Sequence, residues 1–167
     1  MTDIAHDPLY SLAHLTLINA TTPELIYIAD RAGYDAVSPR FIPMNVPGEF
    51  KQSPIDKQMI EATKIALKTT GIKVLDIELA RITEDCDPRN FDRALELGGE
   101  LGAKRMIMSA WTADRTDRNF IVDCFSETCE IAFQYGLSVD LEFPSFSRLR
   151  TLDEALDIVR AAKQPNG

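Results

Sequence analysis

Two segments of this chain carry paired acids at a spacing that can do chemistry. LSVDLEFP, residues 137–144, alternates Leu137, Val139, Leu141 and Phe143 with Ser138, Asp140 and Glu142. KVLDIELAR, residues 73–81, sets Asp76 and Glu78 between Leu75, Ile77 and Leu79 in the same way. Period-2 alternation is the signature of a β-strand with one apolar face, so each pair of acids shares the other face. Carboxylates so placed at a strand end can hold a hard divalent cation, move a proton or bind a hydroxyl. Other chemistry-bearing residues fall at predicted strand ends. His14, in LAHLTL, can hydrogen-bond a substrate or carry a proton, or it can be a satisfied core histidine. Arg40 in VSPRF and Arg81 in ELARI can each grip an anionic group through the planar guanidinium fork, or stand as surface charges. Trp111 in MSAWT can wall a substrate pocket or pack at a rim. Glu78 can bind a substrate hydroxyl, or pair with Arg40 or Arg81.

The elements that must position these residues are marked by punctuation. Gly33, Gly71, Gly102 and Gly136 each precede a strand-like run (AGYDAV, TGIKVL, LGAKRMIM and YGLSVDL), as expected of glycine just past a helix end. Their separations are about one βα unit each. Thr22-Pro23, Ser53-Pro54 and Asp87-Pro88 read as helix starts with a capping residue before proline, and Thr151 with Glu154 as a capping box. The pattern predicts strands near 12–18, 35–40, 73–80, 105–110 and 137–143. Helices are predicted near 23–32, 54–70, 88–101, 117–135 and 152–163. Residues 41–52, FIPMNVPGEFKQ, form a longer loop after the second strand, and TADRTDRN (112–119) reads as a solvated polar loop.

Alternating β and α implies a parallel sheet with right-handed crossovers. A flavodoxin-like sheet covers both strand faces with helices, which would bury Asp76, Glu78, Asp140 and Glu142 at high cost. It also calls for a glycine-bearing phosphate loop after the first strand, and INATTPE has none. In a (βα) barrel one strand face meets the interior, where strand-end acids line a site. The expected fold is therefore α/β of the TIM-barrel type, a single partial barrel of about five βα units over residues 1–167. The ending AAKQPNG falls where a sixth strand is due, as in the opening part of a chain of roughly 250 to 290 residues.

Composition narrows the partners. The chain has 167 residues, 45% hydrophobic and 26% charged, with a formal net charge of −8. The acidic balance argues against a nucleic-acid surface. Cys86, Cys124 and Cys129 have no zinc-knuckle spacing and read as free thiols of a reducing compartment. MTDIAHDPLY does not read as a signal peptide and no apolar run has the length of a membrane span, so a cytoplasmic location is expected.

LSVDLEF after the fourth predicted helix, together with the βα rhythm, resembles the xylose isomerase-like TIM barrels. These include sugar phosphate isomerases and epimerases, hydroxypyruvate isomerase, inosose dehydratase and 3-dehydroshikimate dehydratase, with AP endonuclease IV more distant. The resemblance runs from His14 through the helix after Glu142. It implies a divalent metal, Mn²⁺, Mg²⁺ or Zn²⁺, held by Glu, Asp, His and Glu side chains from the last four barrel strands. Glu142 matches the first ligand, and the other three fall beyond Gly167. Asp140, two residues deeper, fits a supporting network acid. Relatives often place His or Asn two residues after this Glu, where this chain has Pro144, so no substrate contact carries over there.

The implied activity is a metal-dependent sugar or sugar phosphate isomerase or epimerase acting on a small polyhydroxy carbonyl compound. Glu142 and His14 are its catalytic candidates, Arg40, Glu78, Arg81 and Trp111 its substrate contacts. A 3-dehydroshikimate dehydratase-like lyase is one alternative. The other is a truncated, inactive half-barrel that binds a partner or forms a homo-oligomer through open strand edges.

Overall fold

The computed structural model describes residues 8–167; the opening stretch read against a signal peptide lies partly outside them, at 1–7. The first strand, β1, is only Ser11–Ala13. The strand expected over 12–18 stops there, because His14–Leu17 winds into a 3-10 turn that takes His14 into the core. Helix α1, Thr22–Ala32, leads to β2, Ala36–Ser38. Then come α2, Lys57–Thr70, β3, Lys73–Val74, and β4, Ile77–Ile82. A 3-10 turn at Pro88–Phe91 opens into α3, Asp92–Glu100, followed by β5, Arg105–Ala110. The chain continues through α4, Arg118–Gln134, β6, Ser138–Glu142, and α5, Leu152–Ala162.

Capping explains where the helices start. Thr21, not Thr22, caps α1, in a capping box with Glu24; the Thr22 hydroxyl donates instead to buried Gln52 at 2.6 Å. The second helix starts later than Ser53-Pro54 suggests. Asp56 caps it by accepting from the Gln58 and Met59 amides, and the Pro54 segment is a turn. Thr151 and Glu154 form the expected capping box on α5. All four punctuating glycines have φ between 74 and 93°, the left-handed region open to a residue without Cβ.

All strand pairing among the described residues is parallel, in the orders β1-β2-β3 and β4-β5-β6. β3 and β4 are one barrel strand broken at Leu75–Asp76. The two sheets meet where Arg40 bridges Glu78 and the Glu78 amide donates to the Pro39 carbonyl at 3.0 Å. Neighbours in the sheet are neighbours in the chain. This order, unlike that of a doubly wound sheet, turns every right-handed crossover to the same side and leaves the other face as an interior. Among the described residues β1 and β6 are edges and the barrel is not closed.

The core lies between helices and the outer strand face. Leu25, Ile26, Ile77, Leu95, Met106 and Phe125 are fully buried there, each contributing about 1.5–3 kcal/mol of transfer free energy. Helix α3 approaches closely: a Cβ on Gly99 would sit 2.7 Å from the Tyr135 carbonyl oxygen. No helix among the described residues is long and apolar enough to cross a membrane.

Candidate functional site

Register sets which side chains share the interior. β5 and β6 align Ile107 with Asp140 and Ser109 with Glu142, and β4 aligns Arg81 with Ser109. The paired acids of the two strands thereby open onto one cavity of about 430 Å³. Its polar lining is Ser38, Arg40, Asp76, Glu78, Asp140 and Glu142, with Leu15 and Ile107 among its apolar walls. This is why two strands each carry Asp-x-Glu: the acids face a hollow rather than a layer of helices.

Arg40 lies at the centre of the polar lining and is only 6% exposed. It is therefore not the rim or surface charge that its place in the sequence suggests. Its Nη2 donates to Glu78 Oε2 at 3.0 Å, and its Nη1 lies 4.0 Å from Glu49 Oε1. Glu49 is itself held: its carboxylate accepts from the Met44, Asn45 and Val46 amides, which ties the 41–52 loop together beside Arg40. The Arg40 backbone N–H donates to His14 Nδ1 at 3.0 Å, and His14 Nε2 meets the Ala20 carbonyl at 2.9 Å. This network fixes the imidazole as the Nε2–H tautomer and uses both nitrogens. Burial holds the His14 pKa down, with the Arg40 charge adding to the effect. As arranged, His14 has no nitrogen free for a substrate proton. In this arrangement the side chain, expected as a catalytic candidate, anchors the backbone of Arg40.

Burial governs the acids. Glu78 is raised from an ordinary 4.5 to about 7: desolvation outweighs the pull of Arg40, and repulsion from Asp76 and Glu142 adds to the rise. Asp76 is raised mainly by burial, against the nearby Ser38 hydroxyl, and its Oδ1 is buried with no partner. Glu142 is also raised by burial, partly offset by the Ser109 hydroxyl and Arg40. Asp140 is more open and lies 3.8 Å from Arg105 Nη1. Burial pushes the Cys124 and Cys129 thiols up to about 12 and raises Cys86 as well, which disfavours the thiolate form.

The structure thus brings Glu142, Glu78 and Arg40 together and sets Arg81 and Trp111 apart. Arg81 Nη2 donates to the Met44 carbonyl at 3.0 Å, and its guanidinium lies 5.4 Å from the Trp111 ring centre. Trp111 in turn meets exposed Phe146 edge to face. These residues brace the loops at the carboxyl ends of the strands, and neither lines the cavity. Sequence reasoning missed Ser38 and Ser109, whose signal is their interior phase, in step with Arg40 and Ile107. It also missed Glu49, whose role depends on the fold of an irregular loop and leaves no local pattern.

Glu142, the expected metal ligand, is a half-buried single donor. No group of three or more His, Cys, Asp or Glu side chains among the described residues is arranged to hold a metal ion. The residues present do not by themselves make a metal site.

No family model matches the chain, and no curated protein matches it. Solved structures do. The chain is similar to apo 3-keto-D-glucoside 4-epimerase, YcjR, from E. coli: 18% identity over 95% of this chain and 66% of that one, TM-score 0.72. It is similar to the IolI protein with a bound zinc atom: 21% identity, 93% of this chain, 59% of that one, TM-score 0.70. A xylose isomerase-like TIM barrel protein from Mycobacterium smegmatis in complex with magnesium matches at 14% identity over 99% of this chain and 64% of that one, TM-score 0.71. The chain spans about 60% of the length of these structures. The likeness establishes the fold alone: the described residues form part of a TIM barrel, arranged as in these structures.

Proposed function

We propose that this chain supplies the first part of the active site of a cytoplasmic isomerase or epimerase that acts on a small polyhydroxy carbonyl compound by proton transfer beside the carbonyl. The observation that carries this reading is Glu78. It is a carboxyl that titrates at about 7, paired with Arg40, in a cavity walled by the interior face of the sheet. A group divided evenly between acid and base at neutral pH can take a proton from carbon and return it. Arg40, whose backbone is tied to His14 and whose guanidinium lies between Glu78 and Glu49, is preorganised to steady an oxygen that gains negative charge as the proton leaves. Glu142 offers a second carboxyl and Asp140 an acceptor for substrate hydroxyls. The epimerase with the same fold supports the reaction class. The zinc and magnesium of the other two structures support a divalent metal, for which Glu142 is the donor proposed among the described residues.

The test is solvent exchange. The native gene product is incubated in D2O with a panel of free and phosphorylated ketoses and aldoses, and each sugar is weighed by mass spectrometry. Incorporation of one deuterium, lowered at least about a hundredfold by Glu78→Gln, is the expected result. No incorporation in any sugar by folded protein would end the reading. A second reading, an inactive partner-binding half-barrel, draws support from the open edges of β1 and β6 and from exposed Leu15 and Phe146. It predicts self-association in sedimentation together with no deuterium uptake.

A further inference from the structure

We infer that this site selects an uncharged polyhydroxy compound and excludes its phosphate esters. The inference rests on the sugar-site reading above and narrows it. Arg40 is the one basic side chain lining the cavity among the described residues, against four carboxyl side chains, Asp76, Glu78, Asp140 and Glu142. The Arg40 charge is already matched. Its Nη2 is bonded to Glu78, and its Nη1 faces the carboxylate of Glu49, a side chain only 2% exposed. The second arginine expected to grip an anion, Arg81, is spent on the Met44 carbonyl and the Trp111 ring.

The hydrogen-bonding inventory points the same way. Arg40 Nε and Nη1 are buried donors without a hydrogen-bond partner, and Asp76 Oδ1 is a buried acceptor without one. A hydroxyl group both donates and accepts, so a polyol can satisfy both kinds at once. A phosphate monoester at neutral pH is mainly an acceptor and carries between one and two further negative charges. Placed here, it would meet the carboxyl oxygens of Asp76, Asp140 and Glu142 and a partly ionised Glu78 across a half-buried space, where like charges repel more strongly than in water. The donors that remain on Arg40 belong to a guanidinium that already faces the carboxyls of Glu78 and Glu49. They suit a carbonyl or hydroxyl oxygen.

The experiment is calorimetric titration of the native gene product at pH 7.5 with a free ketohexose, its 1- and 6-phosphate esters, and inorganic phosphate. A second set uses Asp140→Asn, which removes one repelling charge. The free sugar is expected to bind at least tenfold more tightly than either ester. Inorganic phosphate should give no heat, and Asp140→Asn should narrow the gap between sugar and ester at least threefold. An ester that binds as tightly as the free sugar or more tightly overturns the inference and leaves the sugar-site reading standing. Binding of neither sugar nor ester removes both.

Discussion

Replacing Glu78 by glutamine removes the carboxyl whose titration lies closest to neutrality while keeping an acceptor for Arg40. The raised pKa, from 4.5 to about 7, means that the folded protein holds the Glu78 proton more tightly than the unfolded chain does. The associated stability is complete below pH 4.5 and is lost as pH climbs through about 7. Between pH 5 and pH 8 this one group costs the wild type about 2–3 kcal/mol. At 15% side-chain exposure solvent screens little of this. His14 runs the other way: its depressed pKa gives stability that is present above its unfolded value of 6.5 and is lost as pH falls. The difference between wild type and Glu78→Gln isolates the glutamate, because His14 is in both. The assay is urea unfolding followed by circular dichroism at half-unit pH steps. The free-energy change from pH 5 to pH 8 should be less negative in the variant by about 2–3 kcal/mol. Equal pH slopes in the two proteins would show that Glu78 titrates as an ordinary carboxylate, and the proposed proton carrier would be lost.

Three further outcomes follow from particular contacts. His14→Leu strands the Arg40 N–H and the Ala20 carbonyl in the core and should lower the unfolding free energy by about 2–4 kcal/mol; a loss below about 0.5 kcal/mol would contradict the anchoring role. Gly99→Ala drives a Cβ to 2.7 Å from the Tyr135 carbonyl oxygen and should cost about 1–3 kcal/mol in the same assay, with a neutral effect counting against the close packing of α3. With no three-donor group among the described residues, about 1 mM Mn²⁺ should move the thermal midpoint of the 167-residue chain by less than about 1 °C. A shift of several degrees would reveal a ligand set that the geometry lacks.

Much of the fold was legible because it is written in local signals. Gly33, Gly71, Gly102 and Gly136 sit at positive φ, and each announces the next strand within a few residues. The alternation of 137–143 placed Asp140 and Glu142 on one face, and the structure keeps them there with Asp76 and Glu78. The errors lie where a distant partner decides. LAHLTL has strand-like spacing, but His14 leaves the strand to bond Arg40 and Ala20. Ser53-Pro54 looked like a helix start, yet Asp56 offers two amides a better acceptor. Arg40 and Arg81 looked alike at strand ends. Only the packed chain shows that one lies buried between Glu78 and Glu49 while the other stacks on Trp111. Glu49 illustrates the limit: a glutamate in a proline-rich loop gives no sign that it will fill three amides and face a buried guanidinium.

The most direct test of the account is the titration of the Glu78 carboxyl itself, followed by carbon-13 NMR of the side-chain carboxyl and assigned by comparison with Glu78→Gln. The account predicts a midpoint at about pH 7 in the free protein, displaced when a free ketose fills the cavity. A midpoint near 4.5 that no sugar moves would contradict it.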